Sequence, residues 1–121
     1  MTREILFRGK RLDNGEWITG CLVKYAYDST PYIGYLDAWG DGIYEVDPST
    51  VGQYTGLTAN GKKIFEGDIV LRFGCCYKVC FENRQWVAVD KHGFWVELYD
   101  DVTYTVIGNI HDNPELLEGE R

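Results

Sequence analysis

Apolar side chains in this sequence recur at every second position, and short turns interrupt them before any long helical face can form. Trp17, Thr19, Cys21 and Val23 fall on one side of such a pattern, and Ile18, Gly20 and Leu22 on the other. A two-residue period is that of a strand with two distinct faces, whereas an amphipathic helix repeats every 3.6 residues. The same alternation places strands at 3–8, 31–36, 43–46, 69–73, 77–81, 85–89, 94–98 and 103–107. Aromatic and β-branched residues fill these segments, as suits a pleated surface. Between them lie Asp13-Asn14-Gly15, Asp47-Pro48-Ser49, Asn60-Gly61, Glu82-Asn83-Arg84 and Lys91-His92-Gly93. Asn-Gly between apolar runs is the strongest short-range hairpin signal. At the far end Asn113-Pro114-Glu115 supplies an N-cap, a first-turn proline and an early acid, which predicts a short C-terminal helix of one or two turns.

Strands this short and this evenly spaced predict a mainly β protein, a barrel or sandwich rather than βαβ units. The rhythm from about residue 64 to 110 suggests a small SH3-like barrel, with the additional N-terminal strands packed on it. The chain has 121 residues, which reads as a single domain, 1–121, able to build its own core. The first residues carry no apolar core or cleavage site of a signal peptide. No apolar run approaches the roughly 20 residues of a membrane-spanning helix. The expectation is therefore a cytoplasmic protein without a membrane partner.

The formal charge of −7 is unevenly spread. Residues 25–61 hold five acids and no base, and residues 97–121 hold seven acids and one base. Proteins that track a phosphate backbone need clustered Lys and Arg to displace counterions. A nucleic-acid role would require Arg3, Arg8, Lys10, Arg11, Lys62, Lys63 and Arg72 to meet on one face. The two acidic segments admit a different reading, a decoy that imitates DNA toward a host protein.

Motifs that would carry chemistry fail on inspection. Gly56 to Lys63 approaches the phosphate-loop pattern, but Lys63 stands where a hydroxyl should reach magnesium, and strand and turn follow instead of a helix. Only Ser29 and Ser49 are present, and neither sits in a nucleophile elbow. His92 and His111 lie near turns, with no spacing that ties either to a cysteine. Cys75, Cys76 and Cys80 are not at a standard zinc spacing, and adjacent strand residues point to opposite faces. With Cys21 they read as free thiols. Asp68, entering a strand after Gly67, reads as a carboxylate that accepts backbone N–H bonds in its turn. No catalytic residue, metal or cofactor is expected, and the chain does not read as an enzyme.

Aromatics are the unusual component. Six of nine tyrosines fall within 25–54, together with Trp39. Tyr and Trp combine large apolar area with a polar tip, the chemistry of interfaces. Tyr32, Tyr35, Trp39 and Tyr44 are the candidate interaction surface, and the expected partner is a second copy of the chain in a homo-oligomer.

One long run is more specific than any of these signals. Asp47-Pro-Ser-Thr-Val-Gly-Gln-Tyr-Thr-Gly-Leu57, followed by Asn60-Gly-Lys-Lys-Ile-Phe-Glu-Gly-Asp-Ile-Val70, resembles the YopX family of phage and prophage proteins. The closing Val106-Ile-Gly-Asn-Ile-His-Asp-Asn-Pro-Glu-Leu-Leu117 fits that family's tail, and Arg3 to Arg8 and Trp17 to Gly20 fit its opening. Residues 72–101 are not diagnostic. The resemblance implies a small, largely β protein of a mobile element, at work inside a bacterial host. The family pattern defines no catalytic residue, so none transfers. The expectation is a non-enzymatic binding or accessory module whose partners are a second copy of itself and a host or phage protein.

Overall fold

A computed structural model describes residues 5–25, 28–34, 42–98 and 104–118. Its contacts gather into two compact units, Met1–Tyr54 and Thr55–Arg121. The fold is mainly β, in two antiparallel sheets.

In the first unit β1 (Phe7–Lys10), β2 (Trp17–Tyr25), β3 (Asp28–Gly34) and β4 (Ile43–Glu45) form successive antiparallel pairs. The start of β5 (Gly52–Ala59) pairs with the free side of β1, through Phe7 opposite Gln53 and Arg8 opposite Gly52. Register confirms the alternation read from sequence. Ile18 lies opposite Gly9, Leu22 opposite Ile33, and Ile33 opposite Tyr44. One face therefore collects the core of Ile18, Ile33 and Val46, with Phe7, Leu22, Tyr44 and Val51 packed against it. Between β4 and β5 a 3-10 turn, Pro48–Thr50, is capped by Asp47, whose Oδ1 accepts from the Ser49 N–H at 3.0 Å. Thr50 ties this turn to β1 by accepting from the Lys10 N–H at 2.9 Å.

In the second unit β5 turns through Asn60-Gly61 into β6 (Lys62–Phe65). A five-stranded sheet follows: β7 (Asp68–Arg72), β8 (Cys75–Glu82), β9 (Gln85–Val89), β10 (Trp95–Glu97) and β11 (Thr105–Asn109). Their order is β10-β9-β8-β7-β11. Val70 is opposite Tyr77 and Val106, Val79 opposite Ala88, and Ala88 opposite Val96. These residues share one face, and with Ala59, Ile64, Leu98 and Tyr104 they make the core.

Three of the connections are two-residue turns in which both residues have positive φ: Asn60 and Gly61 at 53° and 82°, Phe73 and Gly74 at 51° and 78°, Asn83 and Arg84 at 51° and 66°. This is the hairpin geometry whose twist matches that of its flanking strands. It locks Arg72 against Cys75 and Glu82 against Gln85, and through them the facing of every residue in the sheet.

Two expectations are corrected. The barrel over 64–110 does not close. β6 joins the first sheet beside β5, and the last strand returns to β7, so β10 and β11 are the two ends of an open sheet. The short α-helix at the end is a single 3-10 turn, Pro114–Leu116, because Asn113 makes no side-chain cap and the turn ends at once with Leu117. β5 was not foreseen as a strand, since the glycines of 52–61 mask its alternation, and of β6 only Ile64 and Phe65 were read as strand.

Gly20 is where the first unit is least forgiving. A Cβ there would collide with the backbone carbonyl of Gly34. Overpacking of this kind costs about 1–3 kcal/mol, and here the obstruction is backbone. Gly20→Ala should lower the unfolding free energy by an amount in that range, read as a lower urea midpoint with an unchanged slope. An unaltered midpoint would mean that β2 and β3 approach less closely than described.

Candidate functional site

The four aromatics singled out from sequence do not form one surface among the described residues. Tyr35 and Trp39 lie outside the described residues. Tyr32 is opposite Glu45, whereas Tyr44 is opposite Ile33, so Tyr32 and Tyr44 occupy opposite faces of the sheet. Tyr44 packs on the core and carries the Arg11 guanidinium 3.9 Å from its ring centroid. That guanidinium also donates to Asp13, through Nε at 2.9 Å and Nη2 at 2.7 Å. The hydrogen bonds from Arg11 hold the Asp13 carboxyl below its ordinary range, and the Asp13 carboxylate pushes Arg11 up.

The other singled-out residues take structural places. Asp68 is 2% exposed, and its Oδ2 accepts from the Phe65 N–H at 2.8 Å, the turn role read from sequence. Asn60-Gly61, which resembled part of a phosphate loop, is a hairpin turn. The His111 N–H donates to Asn109 Oδ1 at 3.0 Å, within a turn that also ties the Asn109 N–H to Asn113 Oδ1 at 3.2 Å. Cys75 is opposite Arg72 and Cys76 opposite Leu71, so adjacent thiols do face opposite ways. Cys80 shares the face of Cys76, and its Sγ lies 3.9 Å from Glu82 Oε2.

What the sequence did not reveal is a cavity at one end of the five-stranded sheet. Arg72 opposite Cys75 sets the β7–β8 turn at the same end as the β9–β10 turn, because Lys78 lies opposite Val89. A cavity of about 180 Å³ opens there, lined by Cys75 and Cys76 from β8, by Asp90, Lys91 and His92 from the turn, and by Leu116 and Leu117 from the chain's end. Asp90 builds the turn. Its Oδ1 accepts from the His92 N–H at 2.9 Å and the Phe94 N–H at 3.0 Å, and its own N–H donates to the Phe94 carbonyl at 2.9 Å. Oδ1 of Asp90 is thus committed to backbone, and Lys91 and His92 are exposed.

Large aromatics crowd this end. Phe73 is 78% exposed, Phe94 73% and Trp95 51%. Phe73 is also strained. It holds φ +51° in the first position of a turn that favours Asn or Gly. Bulky residues rarely adopt that backbone. The Arg72 guanidinium sits 4.9 Å from its ring centroid. The signal that could have found it was Phe73-Gly74 in the place of Asn-Gly between two apolar runs. Reading 69–73 as one strand concealed it.

The family model described as YopX protein matches residues 6–118. No curated protein matches the chain.

Thiol chemistry gives a direct check of this geometry. Burial, reinforced by the Glu82 carboxylate, pushes the Cys80 thiol above its ordinary range. The thiolate is the reacting form, so Cys80 carries less of it at a given pH. Cys21 and Cys75 are exposed. Iodoacetamide at pH 8 should therefore label Cys21 and Cys75 before Cys80, and raising the pH should narrow the gap. Peptide mass spectrometry over time reads the order. Early labelling of Cys80 would contradict the described burial.

Proposed function

The chain belongs to the YopX family, and we propose that it works as a non-enzymatic binding module which docks a protein partner on the aromatic end of its second unit. The observation that carries the reading is Phe73, a large apolar residue held in strained backbone and largely exposed. Left-handed backbone at a bulky residue costs on the order of 1–3 kcal/mol and persists where the surroundings enforce it, often at functional positions. Exposure of Phe73, Phe94 and Trp95 together adds an apolar cost in water that a partner would relieve. In keeping with the resemblance, the module is read as a phage or prophage accessory protein in the bacterial cytoplasm.

A nucleic-acid role has less support. Arg8 and Lys10 lie over the Trp17 ring at 4.8 and 5.7 Å, Arg11 is engaged by Asp13, and Arg72 lies over Phe73 and Tyr104.

Self-association belongs to the same reading. β4 stands last in the order of the first sheet; the Leu12 N–H donates to its Glu45 carbonyl at 3.1 Å and Arg11 bridges Val46, so what it offers a second copy is the exposed Ile43 side chain. Light scattering should give a multiple of the 13.9 kDa chain mass, and Ile43→Glu should return it to one chain. A wild-type mass of one chain, unchanged on concentration, would refute self-association.

Phe73→Asn tests the docking surface. Asn accepts positive φ more readily, so the variant should be more stable by roughly 0.5–1 kcal/mol. The same variant should lose the protein that the wild-type chain captures from host lysate. Capture equal to wild type would overturn the docking surface. A variant no more stable than wild type would remove the strain argument.

A further inference from the structure

We propose that the open edge of β10 binds an extended segment of a partner protein as an added antiparallel strand, with a Lys or Arg of that segment set against Glu97. The inference rests on the binding-module reading and names how the partner is held. β10 is the last strand of the five-stranded sheet, and its backbone bonds have a fixed parity. The Asp90 N–H donates to the Phe94 carbonyl at 2.9 Å and the Leu98 N–H to the Trp86 carbonyl at 3.0 Å, with Val96 opposite Ala88 between them. In an antiparallel ladder alternate residues turn their N–H and C=O to the same neighbour. Positions 94, 96 and 98 therefore serve β9, and Trp95 and Glu97 turn theirs outward. Among the described residues nothing bonds those outward groups. An N–H and a C=O repeated at every second residue match one kind of ligand, another extended backbone.

The other end strands are guarded. β11 carries a bulge between Val106 and Gly108, and Asn60 Nδ2 donates to the Tyr104 carbonyl just before it at 3.1 Å. β6 presents Lys62 and Lys63 exposed, and β4 meets Leu12. Bulges, lysines and covering chain are the devices that keep sheet edges from pairing. The pairing of β10 has no bulge, and its three residues hold one charge, Glu97. That charge selects the occupant. Glu97 shares a face with Trp95 and with Val87 and Val89 of β9, so no cation stands beside it on the strand it pairs with. A second copy paired about Val96 would set the two Glu97 carboxylates diagonally across the axis, and like charges this close oppose pairing. A basic residue opposite Glu97 has the reverse effect, and its aliphatic stem reaches the exposed Trp95 ring on the same face. The next residue of the segment falls opposite Val96, on the face of the exposed Phe94, where an apolar side chain is favoured.

Amide hydrogen exchange read by NMR tests this with the capped peptide Gly-Ser-Lys-Val-Thr-Val-Ser-Gly, in which Lys faces Glu97. In the free protein the Trp95 and Glu97 amides should exchange fast and the Val96 amide slowly. Saturating peptide should slow Trp95 and Glu97 at least tenfold. The peptide's Thr N–H points at β10 and that of the preceding Val points away. N-methylation at Thr should therefore weaken binding at least tenfold, and the same change at that Val no more than threefold. Glu in place of Lys should weaken binding at least fivefold, and Glu97→Lys should reverse that preference. No protection of Trp95 and Glu97, or equal losses from the two methylations, overturns the added strand. Equal affinities for the Lys and Glu peptides overturn its basic residue. Trp95 and Glu97 amides already protected in the free protein also overturn the proposal. Protection lost on dilution would then assign the edge to a second copy, and protection independent of dilution to the chain itself. Glu97→Pro removes one outward N–H at a position where an edge strand tolerates proline, and it separates this proposal from the broader reading. Lysate capture lost with Phe73→Asn but kept with a folded Glu97→Pro would leave the docking surface standing and sink the strand. Capture kept with both would sink both.

Discussion

The five-stranded sheet depends on turns that leave no freedom of register. A two-residue connection with both φ values positive can join only strands whose last and first residues face each other. Arg72 with Cys75 and Glu82 with Gln85 meet that condition. A slip of one residue would carry Val70, Val79 and Ala88 off the core face and set Leu71, Lys78 and Val89 on it. The hairpins thus specify the core. They also place the β7–β8 turn and the β9–β10 turn at one end, where the cavity forms. Asp68 extends this control to the chain entering the sheet. Its buried carboxylate satisfies the Phe65 N–H, a donor whose burial without a partner would cost about 1–3 kcal/mol.

Strand identity was legible wherever bulky residues alternate. Ile18 and Leu22 against Trp17, Cys21 and Val23 sit on the faces that their spacing dictates, because a strand has no other way to separate neighbours. Asn60-Gly61 was legible as a turn for the same local reason. Closure was not legible. Whether the strands from 64 to 110 close a barrel depends on where β6 and β11 find partners, and such long-range pairings leave no mark on local period. The terminal turn shows the limit of capping signals. Asn113, Pro114 and Glu115 fit a helix start, yet Asn113 Oδ1 accepts from the Asn109 N–H instead, and tertiary demand overrides the local preference.

The two described members of the candidate surface, Tyr32 and Tyr44, part for a related reason. Density of tyrosine in 25–54 measures aromatic content, not facing. Alternation already separates Tyr32 from Ile33, and the β3–β4 register then sets Tyr44 with Ile33. Tyr44 goes to the core under Arg11, and Tyr32 goes to the other face. The cavity of the second unit draws on three segments, 75–76, 90–92 and 116–117, whose meeting follows from strand order and a returning chain end.

Phe73 is the point at which local and global preferences disagree. Asn in its place would suit the backbone, and Asn stands in the corresponding position of both other two-residue turns, at 60 and 83. Asn83 shapes its hairpin, and Asn60 also donates from Nδ2 to the Tyr104 carbonyl at 3.1 Å. The β7–β8 turn pays in strain and in exposed apolar surface, and it does so beside the cavity and the exposed Phe94. Natural sequences are largely consistent across levels, and this departure, offset locally only by the Arg72 guanidinium 4.9 Å from the ring, is what the proposed docking would account for. An aromatic ring fixed by a rigid two-residue turn loses little freedom on meeting a partner, so its contact area converts efficiently into affinity. Strain at Phe73 and preorganisation for docking are on this view the same property of one turn.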